Sequence, residues 1–172
     1  KCLAPLMPYS FEIIFVDTGS TDKTKELARK YTDKIYDFEW INDFSAARNF
    51  SLQKASHNYV LILDCDEFLT EIDLDAIYQA IEEHPRGVGM LLRHSYYESG
   101  GMQVSYPDRV ERLFHKRRYY YTLSIHEQVT DIKTGSTLFE RYDIPLTLDH
   151  VGYCGGMESM LQKVERNNTL LL

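Results

Sequence analysis

The sequence predicts an α/β domain built on a mostly parallel sheet, and three observations carry that prediction. Apolar, β-prone runs alternate with helical segments through the first half of the 172-residue chain. The connections between them are short, and turn-forming residues punctuate them. Strands and helices that alternate in this way specify a parallel sheet with right-handed crossovers. A chain of this length can bury one proper core.

The predicted elements run strand, helix, strand, helix, strand, and then a third helix and a fourth strand. Ser20 or Thr21 is expected to cap the first helix, and Asn42 or Asp43 the second. The strand before the acidic segment is expected to lie inside the sheet. The predicted strands are 11–16, 34–38, 59–63 and 87–92, and the predicted helices are about 22–31, 44–55 and 73–83.

The character of the chain changes at residue 93. Short strand-like runs alternate with turns from there, and a helical segment follows at the end. We therefore predict a single domain over residues 1–172, with halves at 11–92 and 93–172. The last helix ends without a cap, so we expect the chain to be a fragment of something longer. The later strand-like runs are 109–115, 118–123, 127–132 and 137–148, and the final helix is 157–172.

Composition excludes several classes of function. A net charge of −7 argues against binding to nucleic-acid backbones. Three scattered cysteines are too few for a disulfide framework, and they predict free thiols in a reducing cytoplasm. No apolar run approaches the roughly 20 residues of a membrane span, and no signal peptide is visible. Peripheral association with a membrane stays open.

Acidic residues follow the apolar strand 59–63 directly. Asp64 and Asp66 leave the strand end on the same side, because strand side chains alternate. Two such carboxylates repel each other unless a cation lies between them, which predicts Mg²⁺ or Mn²⁺ with phosphate oxygens as further ligands. A solvated turn is the alternative. A second pair, Asp73 and Asp75, has the same spacing but is expected only to start a helix.

Several segments, in this order and spacing, resemble family 2 glycosyltransferases. Residues 11–22 are similar to the nucleotide-binding segment of that family, 44–49 to the helix near the donor base, and 61–67 to its DxD segment. A bacterial branch with lipopolysaccharide-core glucosyltransferase-like proteins is similar at three further places, which are 109–114, 125–127 and 150–153. The resemblance covers nearly the whole chain from about residue 11.

The resemblance implies a GT-A fold with a Rossmann-like donor half and a more irregular acceptor half. It implies transfer of a sugar, with inversion, from a nucleotide diphosphate donor, most simply a UDP-sugar, with Mg²⁺ or Mn²⁺. The acceptor is left open among a glycan, a lipid-linked molecule and a protein, and the resemblance implies a role in cell-envelope polysaccharide synthesis. One departure is that the first strand of the family is missing from this chain.

Donor-side roles come with structural alternatives. By similarity, Asp17 accepts hydrogen bonds from the donor base or ribose, and otherwise it forms its own turn. Asp43 and Arg48 lie near the start of the second helix. Arg48 either neutralises phosphate or pairs with Asp64. Arg109 and Arg112 are similar to residues that line the acceptor or diphosphate side, with surface charge as the alternative.

Metal and catalytic roles complete the predicted site. Asp66 is the direct metal ligand, while Asp64 touches ribose or reaches the metal through water. His150 either completes the metal site, as the resemblance implies, or is a hydrogen-bonded core residue. An inverting transfer needs one base on the acceptor hydroxyl, and the predicted base is Glu127, with His126 as the alternative base or a phosphate ligand.

Two competing functions remain open at this point. Haloacid-dehalogenase-like phosphatases also carry DxD at a strand end, but they need Thr or Val two residues after the second acid, where this chain has Phe68. The other alternative is a non-catalytic module that holds a nucleotide sugar or a partner.

Overall fold

The protein is described by a computed structural model that covers residues 2–99 and 102–154. The predicted helix 157–172 lies outside the described residues. A single 3₁₀ turn at Ala4–Leu6 precedes the first strand. The elements that follow are β1 Phe15–Asp17, α1 Thr24–Ala28, β2 Ile35–Asp37, α2 Phe44–Lys54, β3 Tyr59–Leu61, β4 Glu67–Ile72, α3 Leu74–Glu83, β5 Val88–Ser99, β6 Met102–His115, β7 Tyr119–Thr122, β8 Gln128–Asp131 and β9 Arg141–Tyr153.

The strands of the described residues form three sheets. A five-stranded sheet has the order β3-β6-β5-β9-β4, while β1 pairs with β2 and β7 pairs with β8. In the large sheet β5 runs parallel to β9, and the other three pairings are antiparallel. The α/β class is confirmed, but the sheet is mixed. The prediction of mostly parallel strands was wrong in this detail, because the long hairpin β5-β6 brings an antiparallel strand between β3 and β5.

The strand before the acidic segment lies at an edge of the described sheet. β3 pairs only with β6, so the prediction that it lies inside the sheet was wrong for the described residues. A cavity of about 720 Å³ separates β3 from β1, and segments 10–16 and 58–65 line it together with α2 and α3. Within the described residues β1 pairs only with β2, and only the last part of the predicted strand 11–16 is regular.

Local sequence explains why the two longer helices begin where they do. The carboxylate of Asp43 accepts a hydrogen bond from the amide of Ala46 at 2.9 Å, and Asp73 does the same for Ala76 at 3.0 Å. An acidic N-cap satisfies one of the free amides of the first turn. Asp73 is therefore a helix cap, as predicted from its position.

Two apolar clusters hold the elements together. One packs α2 against β3, β7 and β8, and the other packs α3 against β5, β6 and β9. Because the first cluster lies between α2 and the β7-β8 hairpin, it fixes the two elements that carry Arg48 and Glu127. The buried members of the first cluster are Leu52, Val60, Val88, Phe114, Tyr119, Tyr121 and Val129.

Candidate active site

Asp64 lies at the mouth of the large cavity and faces two arginines. Arg48 on α2 donates to it at 3.0 Å, and Arg112 on β6 donates at 2.9 Å. Burial would raise the pKa of Asp64, but the guanidinium groups of Arg112 and Arg48 outweigh burial and hold that pKa well below its usual range. Asp64 is therefore a carboxylate at every pH of interest, and two cations already compensate its charge.

Glu67 extends these ion pairs between carboxylates and arginines into the protein interior. It begins β4, its side chain is fully buried, and it accepts hydrogen bonds from Arg112 at 2.7 Å and from Arg93 on β5 at 3.1 Å. Its other oxygen accepts the amide of Asp64 at 2.9 Å, which fixes the acidic turn. Buried carboxylates are tolerated only with such partners.

The ion pairs join into a single series that we call the charged network. Glu127, which pairs with Arg48, is at one end of the series. Asp108 is at the other end and accepts a hydrogen bond from Arg93 at 2.6 Å. Acidic and basic side chains alternate throughout, so each charge has an opposite neighbour. The charged network consists of Glu127, Arg48, Asp64, Arg112, Glu67, Arg93 and Asp108.

Glu127 stands at the end of a strained loop between β7 and β8. Leu123 and His126 have positive φ values of 72° and 54°, which non-glycine residues rarely adopt. The loop is tied to the start of α2, because the Ser45 hydroxyl donates to the carbonyl of Leu123 at 2.8 Å and the Phe44 amide donates to Ser124. Helix α2, which carries Arg48, thus also stabilises the strained conformation of this loop.

Asp66 and His150 meet on the other side of the acidic turn. Their Oδ2 and Nε2 atoms are 3.4 Å apart, and Nδ1 of His150 shares a 3.2 Å hydrogen bond with the hydroxyl of Ser95. The pairing of β4 with β9 places Glu67 opposite His150 and so brings Asp66 beside it. A Cβ atom on Gly152 would lie 2.3 Å from the Asp66 oxygen and 2.6 Å from His150 Nε2, so this approach depends on glycine.

Asp66 and His150 are the two candidate metal ligands that the structure brings together. Within the described ranges, no three acidic, histidine or cysteine side chains converge on one point. Asp64, which was predicted to touch ribose or to reach the metal through water, faces Arg48 and Arg112. One carboxylate and one imidazole fit Mn²⁺ well, and Mg²⁺ favours sites that a nucleotide diphosphate completes.

Two acids that were predicted on the donor side, Asp17 and Asp43, accept hydrogen bonds from backbone amides close to them in sequence. Asp17 is buried and accepts from the amides of Gly19 at 3.2 Å and Ser20 at 2.9 Å. Burial would raise the pKa of Asp17, but hydrogen bonds from the hydroxyl and amide of Ser20 and from the amide of Gly19 outweigh it and lower that pKa. Asp43 caps α2 with the oxygen that also accepts from Ser45. Both acids match the structural alternatives, and direct donor contacts stay predictions.

Of the remaining predicted residues, Arg112 belongs to the charged network, whereas Arg109 and His126 are exposed. Arg112 is buried in the charged network and is no surface charge. Arg109 is 61% exposed and pairs with Asp143 at 2.8 Å, so the structure does not bring it to the charged network. The side chain of His126 is exposed beside Glu127. The three cysteines are free, as predicted.

Sequence reasoning missed three residues that shape the site: Arg93, Ser95 and Gly152. A signal existed for Arg93, because a charged residue that interrupts an apolar strand needs a buried partner. Ser95 had no signal, since its partner His150 is 55 positions away. Gly152 follows His150 by two residues, and its need for glycine appears only in three dimensions.

Comparison with known sequences decides the family. The family described as "Glycosyl transferase family 2" matches residues 2–144. The chain belongs to glycosyl transferase family 2. The resemblance drawn from the DxD segment and its neighbours is therefore confirmed.

Relatives of this family member are much longer than the chain. A TPR repeat-containing protein of Synechococcus elongatus is 33% identical over 134 residues, which are 76% of this chain and 32% of that protein. The poly(ribitol-phosphate) β-N-acetylglucosaminyltransferase TarS of Staphylococcus aureus is 28% identical over 120 residues, which are 66% of this chain and 21% of that enzyme. The chain thus spans a third or less of the length of these two relatives.

A solved structure supports the fold. The S. aureus TarS fragment 1–349 in complex with UDP superposes with a TM-score of 0.54 at 17% identity, over 86% of this chain and 55% of that chain. This likeness, together with the family match, confirms the GT-A fold. No helix among the described residues is long and apolar enough to cross a membrane.

Proposed function

We propose that the chain transfers a sugar, with inversion, from a nucleotide-diphosphate sugar to an acceptor hydroxyl. The observation that carries the proposal is the continuity of the charged network from Glu127 to Asp64. Arg48 contacts both the predicted acceptor-side base, Glu127, and Asp64 of the DxD segment, and so it holds the two carboxylates relative to each other. A site that must align an acceptor with a donor needs this fixed relation.

In the proposed mechanism Glu127 takes the proton of the acceptor hydroxyl as its oxygen attacks the anomeric carbon. The carbon–oxygen bond to the departing phosphate breaks on the opposite face, which inverts the centre. One base suffices, in contrast with the paired acids of hydrolases. Arg48 holds the carboxylate in place, and His126 is the alternative base.

Asp66 and His150 are the proposed ligands of Mg²⁺ or Mn²⁺. When bound, the ion would offset charge on the leaving nucleotide diphosphate. Asp64 lies next to this pair, and its charge is compensated by Arg48 and Arg112. We assign Asp64 to the ribose side of the donor, as predicted for a residue that does not bind the metal directly.

The donor is proposed to be a UDP-sugar, since the TarS structure similar in fold holds UDP. The acceptor is proposed to be a cell-envelope polysaccharide, because the relative TarS is named a poly(ribitol-phosphate) β-N-acetylglucosaminyltransferase. Residues 11–17 and the turn after Asp17 would receive the nucleotide. A cytoplasmic location fits three free thiols and a nucleotide-sugar supply.

A panel of UDP-, GDP- and other nucleotide sugars, with and without Mn²⁺, tests the donor assignment by thermal shift. Ligand at about 100 times its dissociation constant stabilises by about 2.7 kcal/mol. Asp66→Ala should remove the Mn²⁺-dependent part of the shift, whereas Asp75→Ala, in the second and exposed DxD pattern, should retain it. Equal shifts in all cases would remove the metal from the proposal.

Release of UDP in the presence of a glycan acceptor separates an enzyme from a binding module. The enzyme should release UDP in step with acceptor glycosylation. Binding of the donor without any release, across the full acceptor panel, would favour the non-catalytic alternative.

A further inference from the structure

Cationic side chains surround a second cavity, of about 460 Å³, in this acidic protein. Arg86 comes from the turn before β5, Arg117 and Arg118 from the turn between β6 and β7, and Lys133 from the turn after β8. His115 also lines the cavity. We call Arg86, Arg117, Arg118 and Lys133 the basic end.

The basic end lies at the opposite end of the strands from the candidate active site. His115 pairs with Tyr59 at the start of β3, whereas Asp64 follows the end of that strand. Tyr119 pairs with Asp131 at one end of the β7-β8 hairpin, whereas the loop that leads to Glu127 closes its other end. The basic end is therefore separate from the charged network.

Positive charge exceeds negative charge at the basic end, where Asp131 is the carboxylate that lines the cavity beside four cationic side chains. Within the described part of the chain, none of its four members forms a salt bridge. Asp131 is the acid that lines the cavity, and its Oδ1 accepts the amides of Lys133 and Thr134, each at 2.8 Å. Burial and then the neighbouring Arg118 lower the pKa of His115, which agrees with a positive potential here.

Exposed aliphatic side chains accompany these charges. Ile132 lines the same cavity and is 52% exposed, and Leu138 is 86% exposed. The loop that carries them is folded back, because the amide of Asp131 donates to the carbonyl of Ser136 at 2.9 Å and the amide of Leu138 donates to the hydroxyl of Ser136. A polyanion in water gains little from such side chains. A bilayer surface accepts both cations at its headgroups and aliphatic groups just below them.

We propose that the basic end docks on an anionic lipid bilayer. The chain as a whole carries a net charge of −7, so the cations gathered at the basic end are what would orient the protein on an anionic surface. The candidate active site then faces away from the bilayer, which suits an acceptor hydroxyl at the outer end of a glycan.

Vesicle co-sedimentation of the 172-residue chain tests the docking. Vesicles of phosphatidylcholine with about one-third phosphatidylglycerol should bind at least roughly tenfold more protein than phosphatidylcholine alone, and salt should reverse the binding. The double variant Arg117→Glu with Lys133→Glu should lose the binding. The control Arg29→Glu with Lys30→Glu changes net charge equally on exposed α1-side positions and should retain it.

An apolar pair of variants tests the aliphatic contribution. Ile132→Ser should weaken vesicle binding, while Leu27→Ser, at a position that is also 52% exposed, should not. The wild-type comparison of the two vesicle types needs no variant, so a misfolded variant does not block the test. No preference for anionic vesicles would overturn the proposal. Equal loss in the Arg29 and Lys30 control would do the same, as would binding to soluble polyphosphate without binding to vesicles.

The assay contains neither nucleotide nor acceptor. Failure of vesicle binding would therefore leave the proposed transfer reaction unaffected, and failure of transfer would leave the docking unaffected.

Discussion

Arg48 and Glu127 form an ion pair of 2.7 Å across 79 positions of sequence. The pair joins α2 to the strained loop before β8. The same guanidinium reaches Asp64, so one side chain links the predicted base to the DxD segment. Removal of Arg48 would leave two carboxylates without their shared cation.

We expect Arg48→Ala to lower the free energy of unfolding by about 3 kcal/mol, because it removes the cation that faces the largely buried Glu127 and one of the two that face Asp64. The matched control is Arg109→Ala. Arg109 and Asp143 are 61% and 64% exposed, and exposed pairs contribute about 1 kcal/mol or less. Urea denaturation measures both. Similar losses in the two variants would mean that the charged network is not a stabilising unit.

Glu127→Gln keeps the shape of the side chain and removes its basicity. We expect transfer to slow by roughly two to four orders of magnitude, the usual contribution of a general base, with donor affinity nearly unchanged. Sugar transfer and donor binding are measured separately on the same protein. If Glu127→Gln transfers at the wild-type rate and His126→Asn does not, the base is His126.

Gly152→Ala should separate Asp66 from His150, since the new Cβ would lie 2.3 Å and 2.6 Å from their facing atoms. We expect the gain in UDP affinity on adding Mn²⁺ to fall by about tenfold or more, the usual effect of disturbing the support of a metal ligand. Isothermal titration with and without Mn²⁺ measures the gain. Val151→Ala, one residue earlier, is the control, and an unchanged gain in Gly152→Ala would separate this pair from metal binding.

Because of Glu12, we expect the free energy of unfolding to depend on pH in the acid range. Burial raises the pKa of Glu12, but hydrogen bonds from Lys34 and from the amide and hydroxyl of Ser56 outweigh it and lower the pKa from 4.5 to about 2. A lowered folded-state pKa stabilises above the unfolded value, and the contribution disappears as pH falls through the folded value.

The unfolding free energy of wild type should therefore exceed that of Glu12→Gln by about 1–2 kcal/mol above pH 5, once solvent screening is included. The difference should shrink between about pH 4.5 and pH 2. Urea titrations at several pH values measure it, with Glu71→Gln at an exposed position as the control. A difference that does not change with pH would assign the loss to packing.

Local patterns were sufficient for the two longer helices, whereas α1 spans only 24–28 against a predicted 22–31, and neither Ser20 nor Thr21 caps it. Helix α2 spans 44–54 against a predicted 44–55, because its Asp43 cap and its end are both local signals. Strand β4, Glu67–Ile72, was not predicted, since its acidic start continues the turn and its length is fixed by pairing with β9. The extension of β5 to Ser99 was missed for the same reason.

In the candidate site, too, some features could be predicted from local sequence and others depend on residues far apart in the chain. The sequence placed Asp64, Asp66, Glu127 and His150 together through a resemblance of ordered motifs. The ion pair of Arg48 with Asp64 was one of the two alternatives predicted for Arg48, and the structure contains it. The partners Glu127 of Arg48 and Glu67 of Arg112 could not follow from spacing, because they come from distant segments. In the structure Asp64 faces the two arginines and Asp66 faces His150, and the roles of Asp64, Asp66 and His150 towards a metal stay predictions.

The alternation of sign along the charged network restricts how this sequence can diverge. A single neutral substitution at Glu67 would leave Arg112 and Arg93 as neighbouring cations in the interior. Tolerated change at such a position requires a second change in an adjacent member of the series. Among descendants of this chain, these positions should therefore be replaced in compensating pairs or kept, and their substitution histories should be correlated along the order of the ion pairs.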